Sequence, residues 1–223
     1  KNLNRNVNGG RATVKAYESQ REALAGADFV INAIQVGGYD PCIINDFEIP
    51  LKYGLRQTYA DTLGIGGIMR GLRTIPVMKG ITDDMEELCP NAWLLNYTNP
   101  MAIVTGAVLK SSSIKTIGLC HSVQSCTKNL MDVVGMDCTG VEYKIAGINH
   151  QAWLLEVTKD GRDLYPEIKA RAAQLTEPHE DMVRYEIMKR FGYYVTESSQ
   201  HTAEYTPYFI KDKYPRELEQ TLK

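Results

Sequence analysis

Apolar residues in the first half of the chain occur in short unbroken runs, at 27–34, 92–97 and 115–119. Runs without alternation are typical of strands that are buried on both faces of a parallel sheet. Each run ends in a polar or glycine-rich turn, and a helical pattern comes next. The repeated order of strand, turn and helix predicts an α/β fold with a doubly wound parallel sheet.

Several other segments of the first half have local signals. Ser19 and Glu22 stand three residues apart, which is the spacing of a capping box at a helix start. Further helices are predicted over 75–89, 101–110 and 122–134. A strand is predicted over 12–17, and the four glycines within 61–71 predict a loop.

The pattern changes from residue 141 onward. Strand patterns cover 141–148 and 152–158, residues 159–162 have a hairpin-turn sequence, and charged helices follow. We therefore predict two domains. Residues 1–140 form the doubly wound domain, and residues 141–223 begin a second, α+β domain.

Composition restricts the class of protein. The chain has 223 residues, with 25 Lys and Arg against 27 Asp and Glu. Because neither sign dominates, a role in binding nucleic acid or a membrane surface is disfavoured. The five cysteines are odd in number and form no Cys-x-x-Cys pair, which favours a reducing, cytoplasmic compartment. No apolar run reaches the ~18 residues that a membrane helix needs.

Ligands of doubly wound proteins bind at the carboxyl ends of the strands, so the residues after each predicted strand are candidates for chemistry. These residues are Gln35-Val36-Gly37, Asn96 and Asn99, and Cys120-His121. Glycines let a backbone approach a ligand, amides bond to hydroxyl groups, and a Cys–His pair binds metal or acts as a nucleophile. The plainer alternatives are a simple turn, a helix cap and an inert thiol.

Two later features are further candidates. His150 and Cys120 together offer an imidazole and a thiolate, a pair that would leave coordination positions open for a substrate. The segment 196–208 combines a histidine, two carboxylates and two tyrosines, which are residue types that bind sugars or transfer protons. On composition alone, this segment is equally a solvated loop between helices.

Five segments occur together in a fixed order: INAIQVGG, LLNYTNPM, GLCHSVQ, AGINHQAW and TESSQHTAEYTPYF. In sequence and spacing they resemble glycoside hydrolase family 4, and within it the α-galactosidase (melibiase-type) branch, over residues 12–210. The resemblance implies a Rossmann-like first domain, NAD and a divalent cation such as manganese as cofactors, and a small-molecule α-galactoside as substrate. We also expect a homo-oligomer.

Members of this family use NAD to take a hydride from C3 of the sugar, which makes the proton at C2 acidic. A base removes that proton, the group at C1 is eliminated, water adds, and the hydride returns. The metal ion polarises the sugar oxygens as a Lewis acid. The reaction therefore needs a redox cofactor, a metal site and a base.

The resemblance implies a role for each candidate residue. Cys120 and His150 hold the metal, Tyr205 is the base at C2 with a pKa lowered by the cation, and His121 is a candidate acid. The implied substrate-binding residues are Asn99, Asp61 and Arg70. The residues implied to line NAD are Gln35, Val36, Gly37 and Asn96.

The chain departs from the family's pattern at both ends. The family opens with a strand, a Gly-rich turn for the pyrophosphate and an acidic residue for the ribose, and none of these is present. The last part of the family's second domain is also missing. The resemblance therefore implies an internal piece of a longer protein, whose sheet lacks its first strand units.

Other functions stay open at this point. An α-glucosidase, an α-glucuronidase or an α-galacturonidase would differ only in a few contacts to the C4 hydroxyl and the C6 group. A 2-hydroxyacid dehydrogenase has a similar architecture but uses no metal. A truncated, non-catalytic module would keep Cys120 and His150 without binding metal.

Overall fold

The computed structural model describes residues 2–177 and 179–210 of the chain. The elements of its first half are α1 (Asn2–Asn8), α2 (Gln20–Leu24), β1 (Phe29–Asn32), α3 (Ile44–Leu51), α4 (Gly64–Leu88), β2 (Trp93–Asn96), α5 (Met101–Ser111), β3 (Lys115–Gly118) and α6 (Ser122–Val133). Those of the second half are β4 (Glu142–Ile148), β5 (Gln151–Lys159), β6 (Arg162–Asp163), α7 (Tyr165–Ala172), α8 (Met182–Phe191), β7 (Tyr194–Val195) and α9 (Ser199–Tyr205).

The first three strands form a parallel sheet in the order β1-β2-β3. The register pairs Asn32 with Asn96, and Asn96 with Gly118, so the three carboxyl ends lie side by side. The core on this sheet combines Leu94 of β2 with side chains of α4 and α5, including Met85 and Val104. This packing fixes the edge at which a doubly wound sheet binds ligands.

The second sheet is antiparallel, with the order β4-β5-β6 and with β7 beside β5. Lys159 pairs with Arg162, as the hairpin signal predicts. Its core combines Leu154 of β5 and Ile168 of α7 with Leu130 of α6. Because α6 contributes to this second core, the two halves of the chain pack together. The domain division between residues 140 and 141 stays a prediction.

The predicted fold class is confirmed, because a parallel three-stranded sheet is followed by a second, antiparallel sheet with helices. The predicted cap is also present, since the Ser19 hydroxyl accepts from the Glu22 amide at 3.4 Å. The predicted strand at 12–17 is wrong, because this segment is exposed and unpaired. None of the helices that the structure describes is long and apolar enough to cross a membrane.

The predicted loop at 61–71 is also wrong, because α4 begins at Gly64. A Cβ atom on Gly66 would stand 2.5 Å from the Cβ of Ala60, and one on Gly67 would stand 2.6 Å from the carbonyl carbon of Thr62. Glycine is a poor helix former, but here it allows close packing. These glycines let the segment 60–62 lie directly against the first turns of α4.

A buried network of polar groups joins the carboxyl ends of β1 and β2. The Asn32 amide donates to Asn96 Oδ1 at 2.7 Å and to Thr98 Oγ1 at 3.0 Å. The Asn96 amide donates to Thr105 Oγ1 at 3.1 Å, and Thr98 Oγ1 donates to the carbonyl oxygen of Ile34 at 3.0 Å. Because buried polar groups need partners, this network holds the turns that follow both strands.

A buried arginine holds the chain where it leaves β7. Arg184 pairs with Asp181 at 2.9 Å, and its side chain is only 6% exposed. The guanidinium group lies 4.2 Å from the ring centroid of Tyr194 and donates to the carbonyl oxygens of Val195 and Thr196 at 2.9 and 3.2 Å. These bonds fix the backbone that enters α9.

We expect Arg184→Met to lower the free energy of unfolding by about 3–5 kcal/mol, because it leaves Asp181 buried without its partner. Urea unfolding of the full-length protein measures this loss. The control is Arg190→Met, which removes an arginine that is 71% exposed and pairs with Glu186. This control should change stability by less than about 1 kcal/mol. Equal losses in the two variants would contradict the structural role of Arg184.

Candidate active site

Five parts of the chain meet beside the carboxyl edge of the parallel sheet. They are the segment before α4, the turn after β2, the turn after β3, the turn between β4 and β5, and the segment from β7 through α9. The side chains that they contribute are Asp61, Thr62, Asn99, Cys120, His150, Glu197, His201 and Tyr205. The site therefore depends on both halves of the chain.

His150 lies at the centre of this site. It is in the two-residue connection between β4 and β5, whose last pair is Ile148 with Gln151. Its φ of 61° is in the left-handed region, which costs a residue with a side chain about 1 kcal/mol or more. Strained backbone of this kind concentrates at functional sites. The turn presents the imidazole to residues from three other segments.

The hydrogen bonds around His150 determine which ring nitrogen is available. Nδ1 lies 2.7 Å from Thr62 Oγ1 and 3.0 Å from the Tyr205 hydroxyl. Thr62 donates its own proton to Asp61 Oδ1 at 2.9 Å, so its oxygen is free to accept from His150. From this network we assign a proton to Nδ1. Nε2 then faces Cys120 and Glu197.

Cys120 and His150 polarise each other. Burial opposes ionisation of the thiol, but hydrogen bonds with His150 and Ser122 outweigh it and lower the pKa of Cys120. Burial also opposes a charge on the imidazole, yet Cys120 and the Glu197 carboxylate together raise the pKa of His150. Each group therefore favours the charged form of the other, which is the direction expected of an activated cysteine beside a histidine.

Asp61, Asn99 and His201 form a second part of the site. Asp61 Oδ2 accepts from the Asn99 amide at 2.8 Å, and Asp61 Oδ1 lies 3.7 Å from His201 Nε2. Burial and the neighbouring His150 lower the pKa of His201, so its ring is neutral near pH 7. His201 Nε2 is buried and has no hydrogen-bond partner in the part of the chain that the structure describes.

Tyr205 projects from the end of α9 towards His150. Burial raises the pKa of Tyr205 well above its ordinary value. The protein's own groups therefore keep the hydroxyl protonated, and the lowered pKa that the resemblance implies would need an added positive charge. The neighbouring Glu204 accepts from the backbone amides of Thr58 and Ala60 at 3.2 and 3.1 Å. These bonds tie α9 to the segment before α4.

Other predicted site residues lie at the rim. His121 is exposed, and its ring stacks on Tyr97 with centroids 5.2 Å apart. Gln35 and Gly37 are exposed, and Val36 is half-buried, beyond the carboxyl end of β1. Their roles stay predictions, because within the described part of the chain none of them forms a side-chain hydrogen bond with the residues around His150.

Two predicted residues are buried rather than open to a ligand. Asn96 is fully buried, and its amide is satisfied within the network beneath the strand ends. Its predicted contact with NAD stays a prediction. Arg70 is also buried, on α4, and its Nε has no hydrogen-bond partner among the residues that the structure describes.

Thr62, Glu197 and His201 are members of the site that reasoning from the sequence did not assign. Glu197 and His201 are four positions apart, which is the spacing of neighbours on one helical face. That spacing was available as a signal within the segment 196–208. No comparable signal marks Thr62, which reaches the site only because the glycines of α4 allow close packing.

A cavity of about 500 Å³ opens beside these groups. Its lining includes Tyr59, Ser122, Glu197, Gln200 and His201. Small-molecule sites commonly have volumes of about 300–1,000 Å³. The site therefore combines titratable groups with room for a small polar ligand.

The sequence matches two family models, one for each half of the chain. Residues 1–136 match family 4 glycosyl hydrolase, and residues 145–223 match the family 4 glycosyl hydrolase C-terminal domain. The chain therefore belongs to family 4 of the glycosyl hydrolases. The resemblance of the five sequence segments to this family is confirmed.

Two curated relatives are α-galactosidases. The one from Bacillus subtilis (strain 168) is 65% identical over 203 residues, which are 91% of this chain and 47% of the relative. The one from Rhizobium meliloti (strain 1021) is 38% identical over 201 residues, which are 89% of this chain and 41% of the relative. The chain thus spans less than half the length of these two relatives.

Solved structures agree with the family assignment. The crystal structure of a candidate glucosidase, LplD of Bacillus subtilis, has a TM-score of 0.78 at 29% sequence identity to this chain. The match covers 86% of this chain and 50% of the LplD chain. A 6-phospho-α-glucosidase from gut microorganisms, solved with NAD and glucose-6-phosphate, has a TM-score of 0.66 at 26% identity. The match covers 82% of this chain and 42% of the 6-phospho-α-glucosidase chain.

We expect Cys120 to be alkylated by iodoacetamide at lower pH than Cys126, in protein stripped of metal with a chelator. Hydrogen bonding lowers the pKa of the Cys120 thiol, whereas burial raises the pKa of Cys126 to about 11. Peptide mass spectrometry across a pH series measures both rates. His150→Phe should move the labelling of Cys120 to higher pH. An unmoved profile in that variant would contradict the thiol–imidazole pair.

Proposed function

We propose that the full-length protein is an NAD- and divalent-metal-dependent glycosidase that acts on α-galactosides. The observation that carries the proposal is the convergence of Cys120, His150 and Tyr205 in one partly buried site. A metal-binding pair beside a proton-transferring group is what the family's reaction requires. The two α-galactosidase relatives support the choice of sugar, and the relative solved with NAD supports the redox cofactor.

The donor set at Cys120 and His150 fits a divalent cation. The lowered pKa of the thiol favours the thiolate that metal binding requires. The bond between His150 Nδ1 and Thr62 leaves Nε2 as the metal-binding nitrogen, which is the usual arrangement of a metal-bound histidine. When bound, the cation supplies Lewis acidity to the sugar oxygens and NAD supplies reversible hydride transfer.

The turn after β1 fits one side of a dinucleotide. Gly37 has a φ of 84°, and a Cβ atom there would stand 2.5 Å from Cys42 Sγ. The turn therefore requires glycine at this position. Gln35 and Gly37 are exposed at the edge where nucleotides bind to doubly wound sheets. In this proposal Asn96 supports the NAD site by holding the carboxyl ends of β1 and β2 together.

Tyr205 is the proposed base that takes the proton from C2 of the sugar. Burial raises its pKa, so positive charge at the Cys120–His150 pair is needed to let the hydroxyl ionise. His121 follows Cys120 in the sequence, and its ring stacks on Tyr97. It is the proposed acid for the leaving group.

The proposed sugar contacts come from Asp61, Asn99 and Arg70. The Asp61 carboxylate and the Asn99 amide are bonded to each other. Each still has further lone pairs or amide protons with which it can bond to a sugar hydroxyl. Arg70 has a buried Nε without a partner among the described residues, which leaves a donor for the same purpose. Thr62 orients the His150 ring.

The proposal includes a cytoplasmic location and a homo-oligomeric state. All five cysteines are free, which supports a reducing compartment. The oligomeric state rests on the family resemblance.

We expect the full-length protein to release nitrophenol from nitrophenyl α-galactoside only when NAD, manganese and a thiol reductant are all present. The reductant keeps Cys120 as a thiol, and each cofactor serves a separate step. A colorimetric assay with each component omitted in turn measures this dependence.

The alternative results of that assay are distinct. Activity without NAD and without metal would indicate an ordinary hydrolase and would contradict the proposal. Activity on the gluco or uronic analogues alone would keep the cofactor chemistry but replace the sugar. Net formation of NADH with a hydroxy acid would indicate a dehydrogenase.

We expect Tyr205→Phe to slow exchange of the sugar's C2 proton with deuterated water by about 10²–10⁴-fold, which is the usual contribution of a positioned base. Proton NMR of the substrate measures the exchange. The matched control is Tyr208→Phe, because Tyr208 is exposed and outside the site. If Tyr205→Phe exchanges as fast as this control, Tyr205 is not the base.

A further inference from the structure

We propose that Glu197 is a third protein ligand of the divalent cation at Cys120 and His150. The inference rests on the proposed function, because it needs a cation at that pair. It goes beyond that function by adding a carboxylate to the two residues that the family resemblance implies. The observations that carry it are the distances between donor atoms, the burial of the carboxylate, and the absence of a lysine or arginine within 4.0 Å of it among the described residues.

The three donor atoms have the separations of ligands around one ion. Glu197 Oε1 lies 3.6 Å from Cys120 Sγ and 3.8 Å from His150 Nε2. All three donors lie within 4.8 Å of one another. Atoms bound at about 2.0–2.3 Å to a common ion lie about 3–4 Å apart at tetrahedral or octahedral angles. The residues are therefore close to a binding arrangement without rearrangement of the backbone.

The Glu197 carboxylate is buried without a permanent positive charge beside it. The residue is only 6% exposed. Within the described residues, the basic groups within 4.0 Å of it are His150 and His201, and no lysine or arginine is among them. A buried carboxylate is costly unless it is paired or binds a metal. A divalent cation would balance the charges of the carboxylate and the Cys120 thiolate together.

Hydrogen bonds of the protein itself fix the backbone on both sides of Glu197, without a cation. The carbonyl oxygens of Val195 and Thr196, just before it, accept from Arg184. Ser198, just after it, caps α9 by accepting from the His201 amide at 3.3 Å. The carboxylate is thus presented by a fixed backbone, as a preorganised ligand should be.

A second group of potential ligands consists of Asp61, His150 and His201, whose donor atoms also lie within 4.8 Å of one another. Each oxygen of Asp61 already accepts a hydrogen bond, one from Thr62 and one from Asn99. This group also lacks the thiol. Glu197 is therefore better placed than Asp61 to bind a cation that Cys120 also holds.

A third protein ligand changes what the site does before substrate arrives. Two protein ligands hold an ion weakly, whereas three can retain it and still leave positions for two sugar oxygens and a water in an octahedral shell. We therefore expect manganese to bind in the absence of NAD and sugar.

The test is a manganese titration of the full-length protein, without NAD or sugar and with a thiol reductant, followed by the electron paramagnetic resonance signal of free Mn²⁺. The variants are Glu197→Gln, Glu197→Asp and Cys120→Ser. The matched control is Glu186→Gln, which neutralises a carboxylate outside this group of ligands that pairs with the exposed Arg190 on α8.

We expect both Glu197 variants to lose at least about 10-fold in manganese affinity, and the control to bind like the wild type. Without metal, Glu197→Gln should melt at the same temperature as the wild type or higher, because it removes a buried charge. Manganese should then raise the melting temperature of the variant less than that of the wild type. This comparison separates loss of a ligand from loss of the fold.

The outcomes distinguish the inference from the function on which it rests. If Cys120→Ser loses manganese while both Glu197 variants bind it within twofold of the wild type, Glu197 is not a ligand and the proposed metal site stands. If the wild type binds no manganese, or Cys120→Ser binds it equally well, the proposed metal site and the inference both fail.

Discussion

The contacts of one imidazole determine whether the two halves of this chain form a site. His150 bonds through Nδ1 to Thr62 and Tyr205, and its other nitrogen faces Cys120 and Glu197. These partners come from three separate segments, so the ring is the common point of contact between them. Its left-handed backbone conformation is a strain that only this surrounding packing can maintain. The remaining features of the molecule serve to keep those three segments in position.

Each segment is held by a different physical device. Gly66 and Gly67 let the residues before α4 lie against the helix, and Glu204 ties the same residues to α9. Arg184 holds the backbone ahead of Glu197. The supports are mostly buried hydrogen bonds, which lose much of their value if a single partner is removed. The site is therefore rigid because its supports are buried, and its chemistry depends on residues that have no chemical role themselves.

The sequence predicts much of this arrangement, for identifiable reasons. Unbroken apolar runs mark the parallel strands, and residues after strand ends lie at one edge by topology, which explains the prediction of Asn99 and Cys120. The family resemblance supplies the roles of His150 and Tyr205, which residue type alone marks only as candidates. The glycines of α4 lead to the wrong prediction of a loop at 61–71, because glycine occurs both in loops and where two backbones pack closely. Glu197 and His201 lie in the segment 196–208 that composition marks, but they receive no role, because burial of a polar segment depends on distant parts of the chain.

The bond between Ala60 and Glu204 joins residues that are 144 positions apart. A ribosome that adds about 5–20 residues per second takes about 7–30 s to cover that distance. Throughout this interval the strands of the first sheet can form, but the segment that carries Asp61 and Thr62 lacks its bond to α9. The centre around His150 is consequently among the last parts of the nascent chain to assemble, so a partly synthesised molecule carries the thiol of Cys120 without the surroundings that control it.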